Sequence, residues 1–217
     1  MSEQISSVML VDDHPLLRKG LKQLLALEDE LEVIAEASNG QDAIKLAAEL
    51  DPDLIILDLN MQGMDGLETL KRMRDEGVTS RIVMLTVSDA DEDIVKAISN
   101  GADGYLLKDT DPEVLLDQIK KTLEGKMVLS EAITQVLATA LRRPQAKTPA
   151  ELNSLTNREY EILHLIAKGM SNKVIARELN ISDGTVKVHV KHLLKKLGLR
   201  SRVEAAVWMV NQQGGKL

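Results

Sequence analysis

Along the first half of the chain, short apolar runs recur about two dozen residues apart. They are Val8-Met9-Leu10-Val11, Leu31 to Ala35, Leu54-Ile55-Ile56-Leu57, Ile82-Val83-Met84-Leu85 and Tyr105-Leu106-Leu107. Each run is continuous rather than alternating, which predicts strands buried on both faces of a parallel sheet. Helical stripes fill the gaps: Leu17, Leu21, Leu24 and Leu25; then Ala43, Leu46, Ala47 and Leu50; then Ile94, Val95, Ala97 and Ile98. Five successive βα units predict a doubly wound α/β domain with a five-stranded parallel sheet over about residues 5–127.

The strand pattern stops after Gly125. Residues 131–141 read as a helix with Ser130 as N-cap, and residues 142–149, polar with two prolines, read as a tether. Everything beyond Leu155 is helical in pattern: Asn157 to Lys168 ending at Gly169, Asn172 to Leu179, a turn at Asn180-Ile181-Ser182, Gly184 to Leu197 ending at Gly198, and Arg202 to Gln212. A short helix, a tight turn and a second helix outline a helix-turn-helix within an all-α four-helix domain. The predicted divisions are 1–127, a linker at 128–150, and 151–217.

Charge separates the same two parts. Residues 1–150 carry 16 basic and 28 acidic side chains, 16 − 28 = −12, whereas residues 151–217 carry 11 and 6, 11 − 6 = +5. An acidic front suits cations and a basic tail suits a polyanion. The absence of cysteine excludes disulfides, thiolate metal sites and thiol nucleophiles. With no Phe, one Trp and two Tyr, base stacking on aromatic platforms is excluded as well, leaving duplex binding through a helix and phosphate contacts. No signal-like start and no apolar run long enough to span a bilayer are present, so the expected location is the cytoplasm, with no membrane partner.

In open α/β sheets the site lies beyond the carboxyl ends of the strands. There the first strand delivers Asp12 and Asp13, the third Asp58, the fourth Thr86 and the fifth Lys108. Singly, each is a common loop or cap residue. Together, three converging carboxylates repel one another, and a hard divalent cation with oxygen ligands, Mg²⁺ above all, relieves that repulsion. The chemistry matching an Asp, Mg²⁺, a hydroxyl and a Lys is phosphoryl transfer onto a carboxylate. Neither GxxxxGK[ST] nor GxGxxG is present, so the phosphoryl group must arrive from another molecule.

In the tail, a helical projection of Gly184 to Leu197 collects Val186, Val190, Leu193, Leu194 and Leu197 in one arc of about 100°. Lys187, Val188, Lys191 and Lys195 fall on the opposite side. A solvated lysine face would be the default reading, but the net charge of the segment, the helix-turn-helix outline and a valine suited to a thymine methyl favour a DNA-reading face. His189 and His192 lack a third ligand nearby and are read as surface residues. His14 is read as a loop-to-helix residue, and Trp208 is left unassigned.

The segments VDDHPLLRKGL (11–21), DLIILDLNMQGMDGLE (53–68), LTVSDADED (85–93) and GADGYLLKD (101–109) resemble the receiver domain of two-component response regulators, a flavodoxin-like fold. Residues 155–206 resemble the LuxR-type helix-turn-helix domain, and within the family the chain is most similar to the nitrate/nitrite response regulators. The resemblance implies phosphorylation of Asp58 by a sensor histidine kinase, with Mg²⁺ bound by Asp13, Asp58 and the backbone carbonyl of Asn60, and by Asp12 through water. It implies a switch pair in Thr86 and Tyr105, base contacts from Lys187, Val188 and Lys191, and phosphate contacts from Lys195, Lys196 and Arg200. Gln62 departs from the proline common in the wider family, which affects the rigidity of the loop and none of the ligands. Val203, Val207 and Val210 could form a dimerisation stripe on DNA, and RNA polymerase is a further possible partner.

The expected function is therefore a transcription regulator, not an enzyme, in which the acidic receiver covers the Lys187 to Lys195 face until phosphorylation releases it. The alternative is a Mg²⁺-dependent phosphatase using Asp58 as nucleophile, but the general acid expected two residues on is replaced by Asn60.

Overall fold

A computed structural model of the protein describes residues 5–123 and 154–214. The first part alternates β1 (Ser6–Val11), α1 (Pro15–Leu25), β2 (Leu31–Ala37), α2 (Gly40–Leu50), β3 (Leu54–Asp58), α3 (Gly66–Asp75), β4 (Arg81–Thr86), α4 (Asp91–Ser99), β5 (Gly104–Leu107) and α5 (Pro112–Leu123). The second part holds α6 (Asn157–Ala167), α7 (Asn172–Glu178), α8 (Asp183–Leu197) and α9 (Arg202–Gly214). The predicted helix at 131–141 and the tether lie outside the described residues.

All strands pair in parallel, in the order β2-β1-β3-β4-β5. The continuous apolar runs have a simple cause: alternate residues serve opposite faces, and both faces are covered. Met9, Val11, Ile55, Leu57, Ile82 and Met84 enter one core beneath α2, α3 and α4, while Val8, Leu10, Leu54, Ile56, Val83 and Leu85 enter the other beneath α1 and α5. The expectation fails at β2. It is an edge strand, its residues alternate between buried and exposed, and it runs on to Ala37. Leu50, assigned to the apolar stripe of α2, is exposed.

The chain winds outward in both directions from the β1–β3 pair, so the carboxyl ends of those two strands flank the crevice where ligands bind in such folds. Gly66 opens α3 directly behind β3. Its N–H donates to the Leu59 carbonyl at 2.8 Å, and a Cβ there would stand 2.1 Å from the Asp58 carbonyl oxygen. Only glycine lets the helix approach the strand end this closely.

The helical part has its own core, in which Ile162, Ile166, Ile175, Val186, Val190, Leu193, Leu197 and Trp208 pack together. Trp208 therefore belongs to the core. Thr156 and Glu159 form a capping box at α6, Ser171 and Ser182 cap α7 and α8, and Gly198 ends α8 in the left-handed conformation (φ 61°).

Two alanine substitutions separate propensity from packing. Gly20→Ala, in exposed α1 with nothing near its added Cβ, is expected to stabilise the protein by about 0.5–1 kcal/mol. Gly66→Ala is expected to cost about 1–3 kcal/mol through the clash with Asp58. Urea denaturation of the two variants checks both signs.

Candidate functional site: a phosphoacceptor pocket and a DNA-reading helix

The pocket forms where β1, β3, β4 and β5 end. Asp12 and Asp58 are almost fully buried, Asp13 is half-buried, and their carboxylate oxygens lie with a nitrogen of His14 within 4.8 Å of one another. Lys108 enters from the end of β5, its Nζ 2.8 Å from Asp12 Oδ2 and 2.9 Å from Asp58 Oδ2. One ammonium thus offsets part of the repulsion between two buried carboxylates. The remaining imbalance registers on Asp58, whose carboxyl is held above its ordinary value of 3.8, chiefly by burial and further by Asp12, against the pull of Lys108.

Asp13 Oδ1 and Asp58 Oδ2 are buried, and each faces a cationic or basic nitrogen, His14 Nδ1 at 2.9 Å and Lys108 Nζ at 2.9 Å. Three carboxylates against one ammonium leave an oxygen-rich, acidic pocket that fits a hard divalent cation. Asp13 Oδ2 accepts from the Gln62 N–H at 3.0 Å, and Asp58 Oδ1 from the Asn60 N–H at 3.3 Å, so the loop after β3 is folded over the acids. The glutamine at position 62 keeps a donor that proline would lack. His14 is exposed, pairs with Asp12 and Asp13, and caps α1 without a side-chain bond, in keeping with a loop-to-helix role.

Thr86 is fully buried at the end of β4, and its hydroxyl accepts from the Ser88 N–H at 3.1 Å. Tyr105 is turned inward, and its hydroxyl donates to the Ser88 carbonyl at 2.9 Å. Burial, foremost, pushes the Tyr105 phenol up to about 12, so it stays a donor. Both members of the expected pair grip one residue, Ser88, whose own hydroxyl donates to Asp93 on α4 at 2.6 Å. Ser88 was not among the expected residues; its only sequence signal is its place two residues past Thr86.

The helical part rests on the opposite edge of the sheet, at the amino ends of the strands. Lys173 of α7 pairs with Asp53 at 3.0 Å and donates to the Ile5 carbonyl. Lys187 of α8 donates to the Asp51 carbonyl at 2.7 Å and faces the Asp51 and Asp53 carboxylates at 3.2 and 3.8 Å. Asp53 also accepts from the N–H and hydroxyl of Ser7, at 2.9 and 3.0 Å. Burial pushes the Asp53 carboxyl up, but these donors and the Lys173 and Lys187 charges outweigh it and hold the group below its ordinary value. Lys191 and Arg200 lie over Gly77 and Gly101, positions where an added Cβ would touch them.

The predicted DNA-reading face is thus only partly covered. Lys187 is engaged; Lys191 passes close to Gly77 but is exposed, as are Lys195 and Val188, the last at 53%. Lys196 pairs with buried Glu159 at 2.7 Å. Val203 and Val207 are half-buried and Val210 is exposed on α9. Among the described residues, the acidic pocket is the one cluster able to hold a metal, so His189 and His192 form none.

The family profile for the response regulator receiver domain matches residues 8–120, and that for the luxR family of bacterial regulatory proteins matches residues 153–209. The chain belongs to the two-component response regulators with a LuxR-type output domain. It is 55% identical over 208 residues to the nitrate/nitrite response regulator protein NarL of Escherichia coli K12, covering 96% of each chain. To NarP of the same organism it is 52% identical over 209 residues, again 96% of each. Among solved structures it resembles the response regulator ChrA of a heme-sensing two-component system, with 34% identity, a TM-score of 0.51, and coverage of 96% of this chain and 98% of that one. This regulator is accordingly a DNA-binding transcription factor of a two-component system, and the phosphatase alternative finds no support. None of its described helices is long and apolar enough to cross a membrane.

Because the Asp58 carboxyl is raised in the folded protein, it contributes stability below its unfolded value that is lost as pH rises through the folded one. At neutral pH, without divalent cation, Asp58→Asn should therefore unfold at a higher urea concentration than the native protein. The gap between them should shrink as pH falls through the carboxylate range.

Proposed function

We propose that this regulator switches nitrate- or nitrite-responsive genes, accepting a phosphoryl group on Asp58 from a sensor histidine kinase and reading duplex DNA with α8. The names of its close relatives support the signal, and the strand-end chemistry supports the acceptor. Asp58 Oδ attacks the phosphorus of the donor phosphohistidine in line, the P–N bond breaks, and the imidazole leaves with the electron pair. Lys108 and the Thr86 hydroxyl hold the transferred oxygens. Asp12, Asp13, Asp58 and the Asn60 carbonyl would hold Mg²⁺, which supplies charge neutralisation at the phosphoryl group. The chain acts as an acceptor and not as an enzyme that turns over a substrate. It works in the cytoplasm, as a receiver at 1–127, a linker at 128–150 and an output domain at 151–217.

The reading rests on one observation: Lys187, on the DNA-reading face with Val188, Lys191 and Lys195, is seated on Asp51 and Asp53 of the receiver. A lysine held there cannot enter a major groove. When the Thr86 hydroxyl turns to the phosphoryl group it releases the Ser88 N–H, and the loop gripped by Tyr105 and tied to α4 rearranges. This biases the receiver toward a state that frees α8. The freed output domains pair on DNA through Val203, Val207 and Val210, in reach of RNA polymerase.

Fluorescence anisotropy on a nitrate-responsive promoter duplex tests the switch. A small-molecule phosphodonor should tighten binding by the native protein about tenfold or more. Asp58→Asn should not respond, Asp53→Asn should bind tightly without the donor, and Lys191→Ala should bind weakly throughout. Equal affinity of the native protein in both states would refute the covering mechanism.

A further inference from the structure

The seam between receiver and output domain encloses a cleft lined by four cationic side chains. The receiver contributes Arg81 with Ser80, and the output domain contributes Lys173, Lys187 and Arg202. Arg81 and Arg202 are 7% and 8% exposed. Two buried guanidinium groups near one another are costly unless an anion lies between them. Burial, followed by the Arg81 charge, pulls Arg202 down to about 9, and burial lowers Arg81 as well.

The local acids offset this only in part: Asp103 and Asp53 act on Arg81, and Asp103 and Asp183 on Arg202, yet burial outweighs them at both. Asp53 also lines the cleft, but its carboxylate is committed to Ser7, Lys173 and Lys187. Asp103 is paired with Arg74 through Oδ2 at 2.7 Å, while its Oδ1 is buried without a hydrogen bond among the described residues. Asp183 lies 3.8 Å from Lys187, and burial pushes its carboxyl up, toward the neutral form. Arg202 donates to the Asn172 side chain at 2.9 Å and to the Met170 carbonyl, and Arg81 to the Thr122 carbonyl, all neutral acceptors. The second terminal nitrogen of Arg81 and the hydroxyl of Ser80, itself 5% exposed, are buried without a hydrogen-bond partner among the described residues. One terminal nitrogen of Arg81 and the Ser80 hydroxyl, both unsatisfied beside a second guanidinium, form the donor set of an oxyanion site.

We propose that this cleft binds a small oxyanion of the inorganic phosphate class, bridged between Arg81 with Ser80 on the receiver and Arg202 on the output domain. Its donors come from both domains, so the site exists only in the docked form. The anion therefore strengthens docking by mass action and opposes DNA binding. This consequence rests on the covering mechanism, whereas occupancy of the cleft does not.

The test uses the full-length, unphosphorylated protein without divalent cation, with potassium phosphate replacing potassium chloride at constant ionic strength. Calorimetry should show one saturable phosphate site, retained in Lys108→Ala and weakened at least tenfold in Arg81→Gln. Ser80→Ala, which removes one donor and spares the fold, should weaken it by a smaller factor. At ten times the native dissociation constant, phosphate should lower duplex affinity about tenfold in the native protein and about twofold or less in Arg81→Gln at the same concentration, with Ser80→Ala in between. No saturable site, or a site lost in Lys108→Ala and kept in Arg81→Gln, would overturn the proposal. Phosphate binding at the cleft with unchanged duplex affinity would overturn its regulatory part, and tight duplex binding by the native protein at zero phosphate, without a phosphodonor, would fault the covering mechanism instead.

Discussion

A single buried strand carries a carboxylate at each end, and the two serve different masters. β3 is five residues, all buried, so it is a stiff core element rather than a flexible link. Just before it, Asp53 gathers Ser7 and the output-domain lysines; at its end, Asp58 faces Lys108 and the other acids. About 17 Å of strand separates input from output. Neither carboxylate touches the other's partners, so any coupling must pass through elements that β3 shares with its neighbours.

The geometry indicates where that coupling can travel. Thr86, Ser88 and Tyr105 form a hydrogen-bonded relay at the carboxyl end of β4 and reach α4 through Asp93. At the other end of β4 stands Arg81, in the seam between the domains. A shift in β4 or α4 therefore has contacts at both poles. The docking itself is electrostatic and polar, built from lysines on aspartates and two arginines in a cleft. Such an interface holds with modest free energy and separates when one side is biased.

Much of the fold was legible because its physics is local. Continuous apolar runs recur because each strand of this sheet feeds two cores, and the pocket residues could be named because parallel strands all end on the same side. β2 deviated because an edge strand has one open flank, a fact of topology that no single segment encodes. Opposite net charges foretold docking but not its address. Asp53, Lys173, Arg81 and Arg202 look like ordinary charged residues in sequence, and they acquire a role only when segments more than a hundred residues apart meet. The same holds for Val188, Lys191 and Lys195, which were expected beneath the receiver and are exposed because docking seats chiefly Lys187 of that face.

The central claim is that phosphorylation at one end of β3 undocks the output domain at the other. The natural sequence contains no cysteine, so spin labels on cysteines introduced at exposed Gln23 and Glu178 would report the interdomain distance without interference. Pulsed dipolar spectroscopy should give a narrow distribution for the unphosphorylated protein, and a broad distribution at longer distance once a phosphodonor and Mg²⁺ are added, with Asp58→Asn staying narrow. A distribution unchanged by phosphorylation in the native protein would contradict the account.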